Sequence, residues 1–432
     1  MELLANWPVG MAALFVLLLV GLPISIALTL IGLLGTVSII GWNPALSLLS
    51  TTFFDQGKNY SLSVLPLFLL MGNFVVQSGI AKELYEAAHA WLRHRKGGLA
   101  LATVIACGGF SSVCGSSMAT AATMARISLP SMRRYGYPDD LSTASIAAGG
   151  TLGILIPPSV ILVFYGIMTQ QDIGKLFLAG IIPGILGILG YTTAVWLSIR
   201  FRGIELATEP KLPLRDRLRA LKGTLGAIIL FIFVMGGIYL GVFTPTESAG
   251  MGAAGALLLT ILSGKFTISS AFVTLFDAAK TTAMMFFILF GALTFTNYVN
   301  FSGMTGDMQA FVTYFGDGPT SVILTILVIY LVLGCVLEGL SMIMLTVPIF
   351  YPVVAAQGFD LIWFGVFVVV ITEISYITPP VGMNAFVLRS VVKDVQLGTI
   401  FRGLVPFVLM DVVRIILLIL VPGLVLFLPN SM

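Results

Sequence analysis

The stretch GGTLGILIPPSVILVFYG (149–166) contains two consecutive prolines inside an otherwise apolar run. A second stretch, ITEISYITPPVGMNAFVL (371–388), repeats the proline pair 222 residues further along the chain. Proline lacks a backbone N–H and clashes with the carbonyl four residues earlier, so two prolines in a row end a helix. Each stretch therefore predicts a helix that is broken in its middle, over about residues 139–170 in one case and about residues 360–390 in the other.

Each break frees backbone carbonyls in the turn before the prolines, about residues 153–156 and 375–378. A carbonyl without a hydrogen-bond partner is costly at membrane depth unless something binds it. A bound cation would satisfy these carbonyls, and for one proline pair alone a simple kink would be the alternative. Two pairs at equivalent positions favour paired ion sites.

The composition around these stretches is that of a membrane protein. Of the 432 residues, 58% are hydrophobic and only 9% are charged, whereas soluble proteins have about 25% charged residues. The three cysteines lie in apolar segments and both histidines in one polar stretch, so neither an intramembrane metal site nor a Ser–His catalytic pair is indicated. We expect an all-α polytopic membrane protein that is not an enzyme, needs no cofactor and binds no nucleic acid.

Further residues recur with the same spacing of 222. The motif Phe-Asp-x-x-Lys occurs at residues 54–58 and again at residues 276–280. Recurrence of motifs and helix breakers at one fixed spacing indicates an internal duplication. We expect a first repeat at residues 1–200, a cytoplasmic linker at residues 201–222 and a second repeat at residues 223–432.

The basic residues predict that the two repeats have opposite orientations. Residues 200–222 carry seven basic and three acidic side chains, which places them in the cytoplasm by the positive-inside rule. Residues 281–388 contain no Lys or Arg, as expected for a segment that enters from outside. Five crossings in each half, an odd number, then make the second repeat inverted, as in many secondary transporters. Both termini are expected in the periplasm of a multi-pass protein of the bacterial inner membrane.

Two segments have the length of re-entrant helical hairpins, since one span needs about 20 residues. Residues 99–132 contain two short apolar arms around the small polar tip SSVCGSS (111–117), and this hairpin enters from the cytoplasm. Residues 319–354 flank the tip Glu338–Ser341, and that hairpin enters from outside. Such tips offer unpaired carbonyls to a cation and unpaired N–H groups to an anion.

The hydroxyl groups of the first tip suit a sodium ion. Ser111, Ser112, Ser116 and Ser117 surround Gly115, and oxygen ligands are those that hard cations prefer. Small residues also promote helix packing in membranes, which is the alternative explanation. Four serines clustered at a predicted tip favour the ion site.

Few charged residues are expected near membrane depth, and such residues are functional candidates by default. Glu338 at the second tip and Glu373 before the second break are candidates for cation coupling. Arg126, on the return arm of the first hairpin, could contact an anionic substrate. Equally, its side chain could extend to the cytoplasmic interface.

At five motifs the chain resembles the large membrane subunit of the tripartite ATP-independent periplasmic (TRAP) transporters. The resemblance covers nearly the whole chain, and the combination of motifs is specific to that family. The matching segments are GSSMATAATM (115–124), LPSMRRYGYPDD (129–140), GTLGILIPPSVILVFYG (150–166), VFTPTESAG (242–250) and ITPPVGMNAF (377–386).

The resemblance implies a Na+-coupled importer of a small carboxylate such as a C4-dicarboxylate or a sialic acid. It implies two partners, a small membrane (Q) subunit and a periplasmic substrate-binding (P) protein. It also implies an elevator mechanism, in which hairpins and broken helices carry the substrate past a fixed scaffold.

Matching positions in the family's motifs give three sets of expected site residues. The first Na+ site would comprise Ser111, Ser112, Gly115, Ser116, Gly150 and Gly153. The second Na+ site would comprise Gly334, Glu338, Ser341, Thr372, Thr378 and Met383. The substrate would contact Ser117, Arg126, Pro157, Pro158, Pro379, Pro380 and Asn384.

Three other functions are alternatives to this one. A self-sufficient Na+/carboxylate transporter of similar architecture would need no binding protein. An ion channel would need a continuous pore, often lined by repeated charges or rings of carbonyls, and the sequence has neither in evident form. An intramembrane hydrolase is weaker still, because no histidine is available and the motif GxSxG is absent.

Overall fold

The computed structural model describes residues 2–314 and 318–432, and in this part of the chain the protein is all-α, without strands. Four short 3-10 turns accompany the helices at Glu2–Ala5, Tyr60–Ser63, Leu152–Ile154 and Pro429–Ser431. The helices are α1 (Trp7–Leu19), α2 (Ile24–Ile40), α3 (Trp42–Gly57), α4 (Val64–Ser78), α5 (Ile80–Leu92), α6 (Gly98–Cys114), α7 (Ser117–Arg134), α8 (Asp139–Thr151), α9 (Val160–Thr169), α10 (Ile173–Arg202), α11 (Leu214–Tyr239), α12 (Pro245–Leu262), α13 (Ile268–Phe301), α14 (Met304–Tyr314), α15 (Pro319–Gly334), α16 (Gly339–Ala356), α17 (Leu361–Ser375), α18 (Met383–Val391), α19 (Leu397–Leu420) and α20 (Gly423–Leu426).

Several helices have the length and apolar composition needed to cross a membrane, which confirms the expected polytopic class. Within the described residues there are six of these, and six further apolar helices have between 10 and 17 residues. The six long segments are Tyr60–Ser78, Ile173–Arg202, Leu214–Tyr239, Ile268–Phe301, Gly339–Ala356 and Leu397–Leu420.

The helix boundaries recur with the spacing of 222 residues that the sequence motifs have. Helix α8 begins at Asp139 and α17 at Leu361; α7 begins at Ser117 and α16 at Gly339. The same spacing relates α2 to α12, α5 to α14, α6 to α15 and α9 to α18, to within two residues at their first residues. Each half thus contains a helical pair joined by a short tip, followed by a helix broken before its proline pair.

The halves differ at residues 58–63, where the first half has an interruption between α3 and α4. The corresponding residues of the second half lie inside α13, a continuous helix of 34 residues and therefore about 51 Å long. The first half has Gly57 and Asn59 where the second has Ala279 and Thr281. Glycine is a poor helix former, and the Asn59 side chain accepts a hydrogen bond from Ser61 N over 3.0 Å, which stabilises the interruption.

Corresponding helices of the two halves make reciprocal contacts: where a helix of the first half packs on one of the second, the corresponding helices pack in the same way. Helix α2 packs against α13, and correspondingly α12 packs against α4. The return arm of the first hairpin, α7, packs against α18, and the return arm of the second, α16, packs against α9. Each hairpin therefore contacts the broken helix of the other half.

The connection between the halves is shorter than the predicted linker of residues 201–222. Helix α10 extends to Arg202 and α11 begins at Leu214, so only residues 203–213 are irregular. Pro213 precedes α11, and the basic residues that follow are good helix formers. The irregular segment is held against α5, where Glu209 forms an ion pair with Arg93 and a hydrogen bond with His89.

Candidate functional site

The tip of the first hairpin is shorter than predicted. Helix α6 continues to Cys114, so Ser111 and Ser112 belong to its last turn, and only Gly115 and Ser116 lie between the two arms. Gly115 adopts a left-handed φ of 67°, the usual way to end a helix. Ser116 caps α7 by accepting a hydrogen bond from Ala119 N over 3.3 Å.

The tip of the second hairpin ends in the same kind of cap. Residues 335–338 join α15 to α16, and Ser341 lies in the first turn of α16. The Glu338 carboxylate accepts hydrogen bonds from Leu340 N and Ser341 N, both over 3.1 Å, and from Ser341 Oγ over 2.9 Å. Glu338 corresponds to Ser116 at the spacing of 222, so one position serves as cap in both hairpins.

Both helix breaks lie where the proline pairs predict them, and both Pro-Pro bonds are cis. The protein itself satisfies some of the freed carbonyls. Ser159 Oγ donates to Ile154 O in the first break, and Asn384 N donates to Tyr376 O over 3.0 Å in the second. Thr378 Oγ1 donates to Ile374 O over 3.0 Å.

The two breaks differ in exposure. Pro157 and Pro158 are buried, whereas Pro379 and Pro380 are exposed. The second break is thus the more accessible of the two in this conformation.

Two glycines bring the first tip into contact with the first break. A Cβ on Gly153 would lie 2.8 Å from the carbonyl carbon of Ser116 and 2.9 Å from Ser117 N. A Cβ on Gly115 would lie 2.7 Å from Pro158 O. Gly150 similarly approaches Ala121 in α7. No side chain fits between the first tip and the first break. Their backbone groups therefore lie close enough together to bind one ligand.

The second tip contacts the second break in a similar way. Gly339 packs against Thr372 and Tyr376, and Gly334 packs against Ser375. Thr372 is fully buried and its hydroxyl donates to Val368 O over 2.8 Å. The structure thus brings the predicted residues of the second Na+ site into the neighbourhood of one tip and one break.

Ser111 has a feature that sets it apart from its neighbour. Its side chain is fully buried, and its Oγ has no hydrogen-bond partner in the described part of the chain. Ser112 is half-buried and its Oγ donates to Gly109 O over 2.7 Å. A buried hydroxyl without a partner is unfavourable, so a ligand would satisfy Ser111 Oγ, whereas Ser112 Oγ already has one partner and needs no ligand, although its lone pairs stay free.

One cavity of about 570 Å³ lies between the two hairpin tips. The first tip contributes Gly115, Ser116 and Ser117, and the second contributes Glu338 and Ser341. Its remaining wall comes from α2, α4 and α13 and from the residues around both breaks. The polar side chains that line it are Ser25, Asn73, Ser116, Ser117, Thr281, Glu338, Ser341 and Tyr376.

Four of these polar residues were missed by the sequence analysis, and one of them, Tyr376, lies at the second break. Ser25, Asn73 and Thr281 lie on α2, α4 and α13, helices that look like ordinary apolar spans in the sequence. A polar residue in an apolar span is a weak signal by itself. These residues are distinguished from other polar residues in apolar helices only because they line the same cavity as the hairpin tips.

Asn384 joins the two halves next to this cavity. Its Oδ1 accepts a hydrogen bond from Ser117 Oγ over 3.0 Å, and its Nδ2 donates to Ala147 O over 2.9 Å. Asn384 is fully buried. The amide thus connects α7, α8 and α18.

Other predicted residues lie apart from the cavity lining. Arg126 is exposed on α7, an arrangement that suits extension toward an interface. Met383 is half-buried at the start of α18. Glu373 does not face the cavity but forms a buried ion pair with Arg414 over 2.5 Å.

Cation binding at the tips would have to rely on hydroxyl and carbonyl oxygens. Within residues 2–314 and 318–432, no group of three or more His, Cys, Asp and Glu side chains could hold a metal ion. Oxygen ligands of this kind are those of hard cations.

Comparison with protein families matches residues 11–424 to the family described as "Tripartite ATP-independent periplasmic transporter, DctM component". The chain is 35% identical over 402 residues to the C4-dicarboxylate TRAP transporter large permease protein DctM of Pseudomonas aeruginosa, with 93% of each chain covered. It is 30% identical to the sialic acid TRAP transporter large permease protein SiaM of Vibrio cholerae, with 96% of each covered.

A third relative is longer than this chain. The isethionate TRAP transporter permease protein DctMQ of Oleidesulfovibrio alaskensis is 31% identical, and the match covers 97% of this chain but 65% of that protein. Among solved structures, the YdaH transporter of Alcanivorax borkumensis is similar with a TM-score of 0.61 at 16% identity, covering 89% of each chain. That similarity shows a shared fold.

Proposed function

The chain belongs to the DctM component family of the tripartite ATP-independent periplasmic transporters, and on this premise we propose that it imports a small organic acid together with Na+. It is a permease subunit of a transporter, as its relatives are by name, and not an enzyme.

The observation that carries the proposal is the charge of the cavity between the hairpin tips. Among the residues that the structure describes, its lining contains Glu338 but no Lys, Arg or His. An organic anion that enters this cavity finds no cationic side chain, and charge without a partner is costly in a low-dielectric site. Cations that bind with the substrate would supply the missing charge, which supports coupling to Na+.

The size and the other polar groups of the cavity suit such a substrate. About 570 Å³ falls within the range of about 300–1,000 Å³ that is typical of small-molecule sites. The N-terminal ends of α7 and α16 lie at the two tips, and helix N-termini favour negative charge. Ser117 and Asn384 would help to orient the anion.

We assign the first Na+ site to the first tip and the first break. Ser111 Oγ is a buried hydroxyl without a partner in the described part of the chain, and Gly115, Gly150 and Gly153 allow backbone oxygens to approach. The second Na+ site would lie between Glu338 and the carbonyls before Pro379, with Thr372 and Thr378 nearby.

Transport would proceed by an elevator movement of the hairpins and broken helices against a scaffold of α2, α4, α12 and α13. Two features support this. The scaffold helices pack against one another across the halves, and the cavity lies where they face the tips. The basic residues at 200–222 favour an inverted arrangement of the repeats, with the loop at residues 203–213 in the cytoplasm and both termini in the periplasm.

The protein would lie in the inner membrane, and its partners would be a small membrane (Q) subunit and a periplasmic substrate-binding (P) protein. The DctMQ relative extends beyond the region matched by this chain, and its name joins both permease components.

Reconstitution into liposomes tests the proposal. The chain is incorporated with its cognate small subunit, and uptake of a panel of labelled organic acids is measured with the cognate binding protein outside. We expect uptake that needs an inward Na+ gradient, is not supported by K+, and weakens in Ser116→Ala and Thr378→Ala. Uptake by this chain alone would favour the self-sufficient transporter, and Na+-independent uptake would contradict the proposal.

A further inference from the structure

An open groove runs along the outer surface of the molecule where α6 packs against α10. One end of the groove is a depression of about 330 Å³ that contains Arg95. The other end is a depression of about 310 Å³ that contains Lys96 and Arg200. Trp196 lines both depressions, so they adjoin. The groove shares no described residue with the cavity between the hairpin tips.

The turn between α5 and α6 brings basic residues to this groove. Arg95 and Lys96 lie in the turn, and Gly97 follows them with a left-handed φ of 79°, which glycine adopts without strain. A Cβ on Gly97 would overlap the side chain of Ile199 on α10. This close approach places the turn beside the end of α10 that carries Arg200.

Three basic side chains of the groove lack an acidic partner. Arg95, Lys96 and Arg200 are exposed, and none of them forms an ion pair within the part of the chain that the structure describes. By contrast, the nearby Arg93 and Arg202 are both ion-paired. The positive charge of the groove is therefore available to a ligand.

The part of the groove away from these charges is apolar. Leu101 and Ile105 of α6 form one wall, and Ile105 is 41% exposed. Thr192 and Thr193 of α10 form the other wall. Their hydroxyls donate to Leu189 O over 2.9 and 2.7 Å, so both threonines already satisfy their donors within α10. This part of the groove suits a hydrocarbon chain.

The groove also has the length and position of the outer part of one membrane leaflet. From Thr192 to Arg200 it follows α10 for eight residues, about 12 Å, and one leaflet has about 15 Å of hydrocarbon. Arg200 lies two residues before the end of this membrane-spanning helix. Trp196 is 57% exposed between the two ends, and tryptophan is enriched at membrane interfaces. Glu205 is the acidic residue among the described lining, so three positive charges face one negative charge.

We propose that this groove binds one anionic phospholipid, with its phosphate at Arg95, Lys96 and Arg200 and an acyl chain against Leu101 and Ile105. Basic pockets between membrane helices suit anionic headgroups. A free phosphate ion would leave the apolar part uncovered, and a zwitterionic lipid carries an ammonium group that the three cations repel. The inference requires that the chain spans a membrane, and it depends neither on Na+ nor on the transported substrate.

Native mass spectrometry of the full chain, released from detergent, tests the proposal. The delipidated protein is titrated with phosphatidylglycerol or with phosphatidylcholine of the same acyl chains. We expect one phosphatidylglycerol to bind more tightly than any phosphatidylcholine, and an excess of inorganic phosphate to leave it bound. One basic residue near a membrane surface contributes about fivefold to such binding, so replacing Arg95, Lys96 and Arg200 together by Gln should weaken it about 100-fold.

Two further variants separate this site from general attraction between charges. Arg219 on α11 is also exposed and, within the described residues, also without an ion pair, so Arg219→Gln is the matched control and should leave the affinity unchanged. Thr193→Trp fills the apolar part of the groove without a change of charge. It should abolish the preference for one tightly bound lipid.

Each other outcome overturns the assignment. Equal affinity for the two lipids, or an equal loss in Arg219→Gln, would show unselective binding. Displacement by inorganic phosphate would show a site for a free anion, and loss of the bound lipid on addition of the small membrane subunit would show a protein interface. Tight binding that persists in Thr193→Trp would place the lipid elsewhere. If the triple variant does not fold, Arg95→Gln, Lys96→Gln and Arg200→Gln are measured singly, each with an expected loss of about fivefold.

Discussion

Ser117 Oγ donates a hydrogen bond of 3.0 Å to Asn384 Oδ1, although the two residues are separated by 267 positions in the sequence. The same amide donates to Ala147 O. One side chain of the second half thereby holds the first hairpin and the first broken helix together, at a point beside the cavity.

Removal of this amide should destabilise the protein. Asn384→Ala deletes both hydrogen bonds and leaves Ser117 Oγ and Ala147 O buried without partners, at a cost of about 2–4 kcal/mol in the free energy of unfolding. Ser117→Ala deletes one bond and should cost about 1–2 kcal/mol. Thermal or denaturant unfolding of the purified protein in detergent measures both effects.

The double variant checks that the two residues act on each other. Groups in direct contact commonly show coupling energies of about 0.5–3 kcal/mol. We therefore expect Ser117→Ala/Asn384→Ala to be less destabilised than the sum of the single variants. Strict additivity would argue against the hydrogen bond.

Gly153 should tolerate no side chain. A Cβ at this position would lie 2.8 Å from the backbone of Ser116, so Gly153→Ala should separate the first tip from the first break and weaken Na+-dependent uptake. Gly398 has open space around its Cβ position and lies in the first turn of α19. Gly398→Ala is the matched control and should retain uptake; equal losses in both variants would contradict this explanation.

Ser111 and Ser112 should differ in their response to Na+, although both belong to the predicted site. If Na+ binds the folded protein, stability should rise by about 1.4 kcal/mol for each tenfold increase in Na+ above its dissociation constant. Ser111→Ala should reduce this stabilisation because it removes the hydroxyl that has no other partner. Ser112→Ala should retain it, and thermal unfolding in Na+ and in K+ compares the two variants. The reverse order would show that Ser112 is the ligand.

Glu338 should act as a helix cap in addition to any contact with an ion. Glu338→Ala removes the acceptor for Leu340 N and Ser341 N, and loss of such a cap costs about 0.5–2 kcal/mol. Aspartate is itself a favourable capping residue, so Glu338→Asp should restore most of the stability. An unfolding temperature equally lowered in both variants would contradict the capping role.

A charged contact outside the membrane-spanning segments should weaken in acid. Arg133, near the end of α7, contacts Asp394 in the loop before α19 over 2.8 Å, and the hydrogen bond from Arg133 lowers the pKa of Asp394. A lowered carboxyl pKa stabilises the folded protein above the ordinary value of about 3.9, and this stabilisation is lost as the pH falls through the lowered pKa. The unfolding temperatures of the unmodified protein and of Asp394→Asn should therefore differ at pH 7 and converge in acid. A difference that persists in acid would contradict this origin.

The sequence predicted the breaks and the hairpins because prolines and glycines act locally. Pro157 and Pro379 interrupt their helices whatever packs against them, so the broken helices were predicted within a few residues. The tips were placed less well. A run of small residues shows that a turn is near, but the helix ends where Gly115 takes a left-handed conformation, and Ser111 remains helical.

The sequence could not predict contacts that depend on the packing of distant helices. Glu373 was expected to couple to a cation, yet its partner is Arg414, which comes from another helix. Thr281 on α13 and Asn73 on α4 reach the cavity only because α2, α4 and α13 lie together. No periodicity within a single helix contains this information.

The exchange of packing between α7 and α18, and between α16 and α9, has a consequence for how the protein can be divided. Neither half holds a complete set of supports for its own hairpin, so each half depends on the other for the packing of its hairpin. A chain cut within residues 203–213 should still assemble from its two fragments. Either fragment made alone would lack the part of the packing surface that the other half contributes to its hairpin.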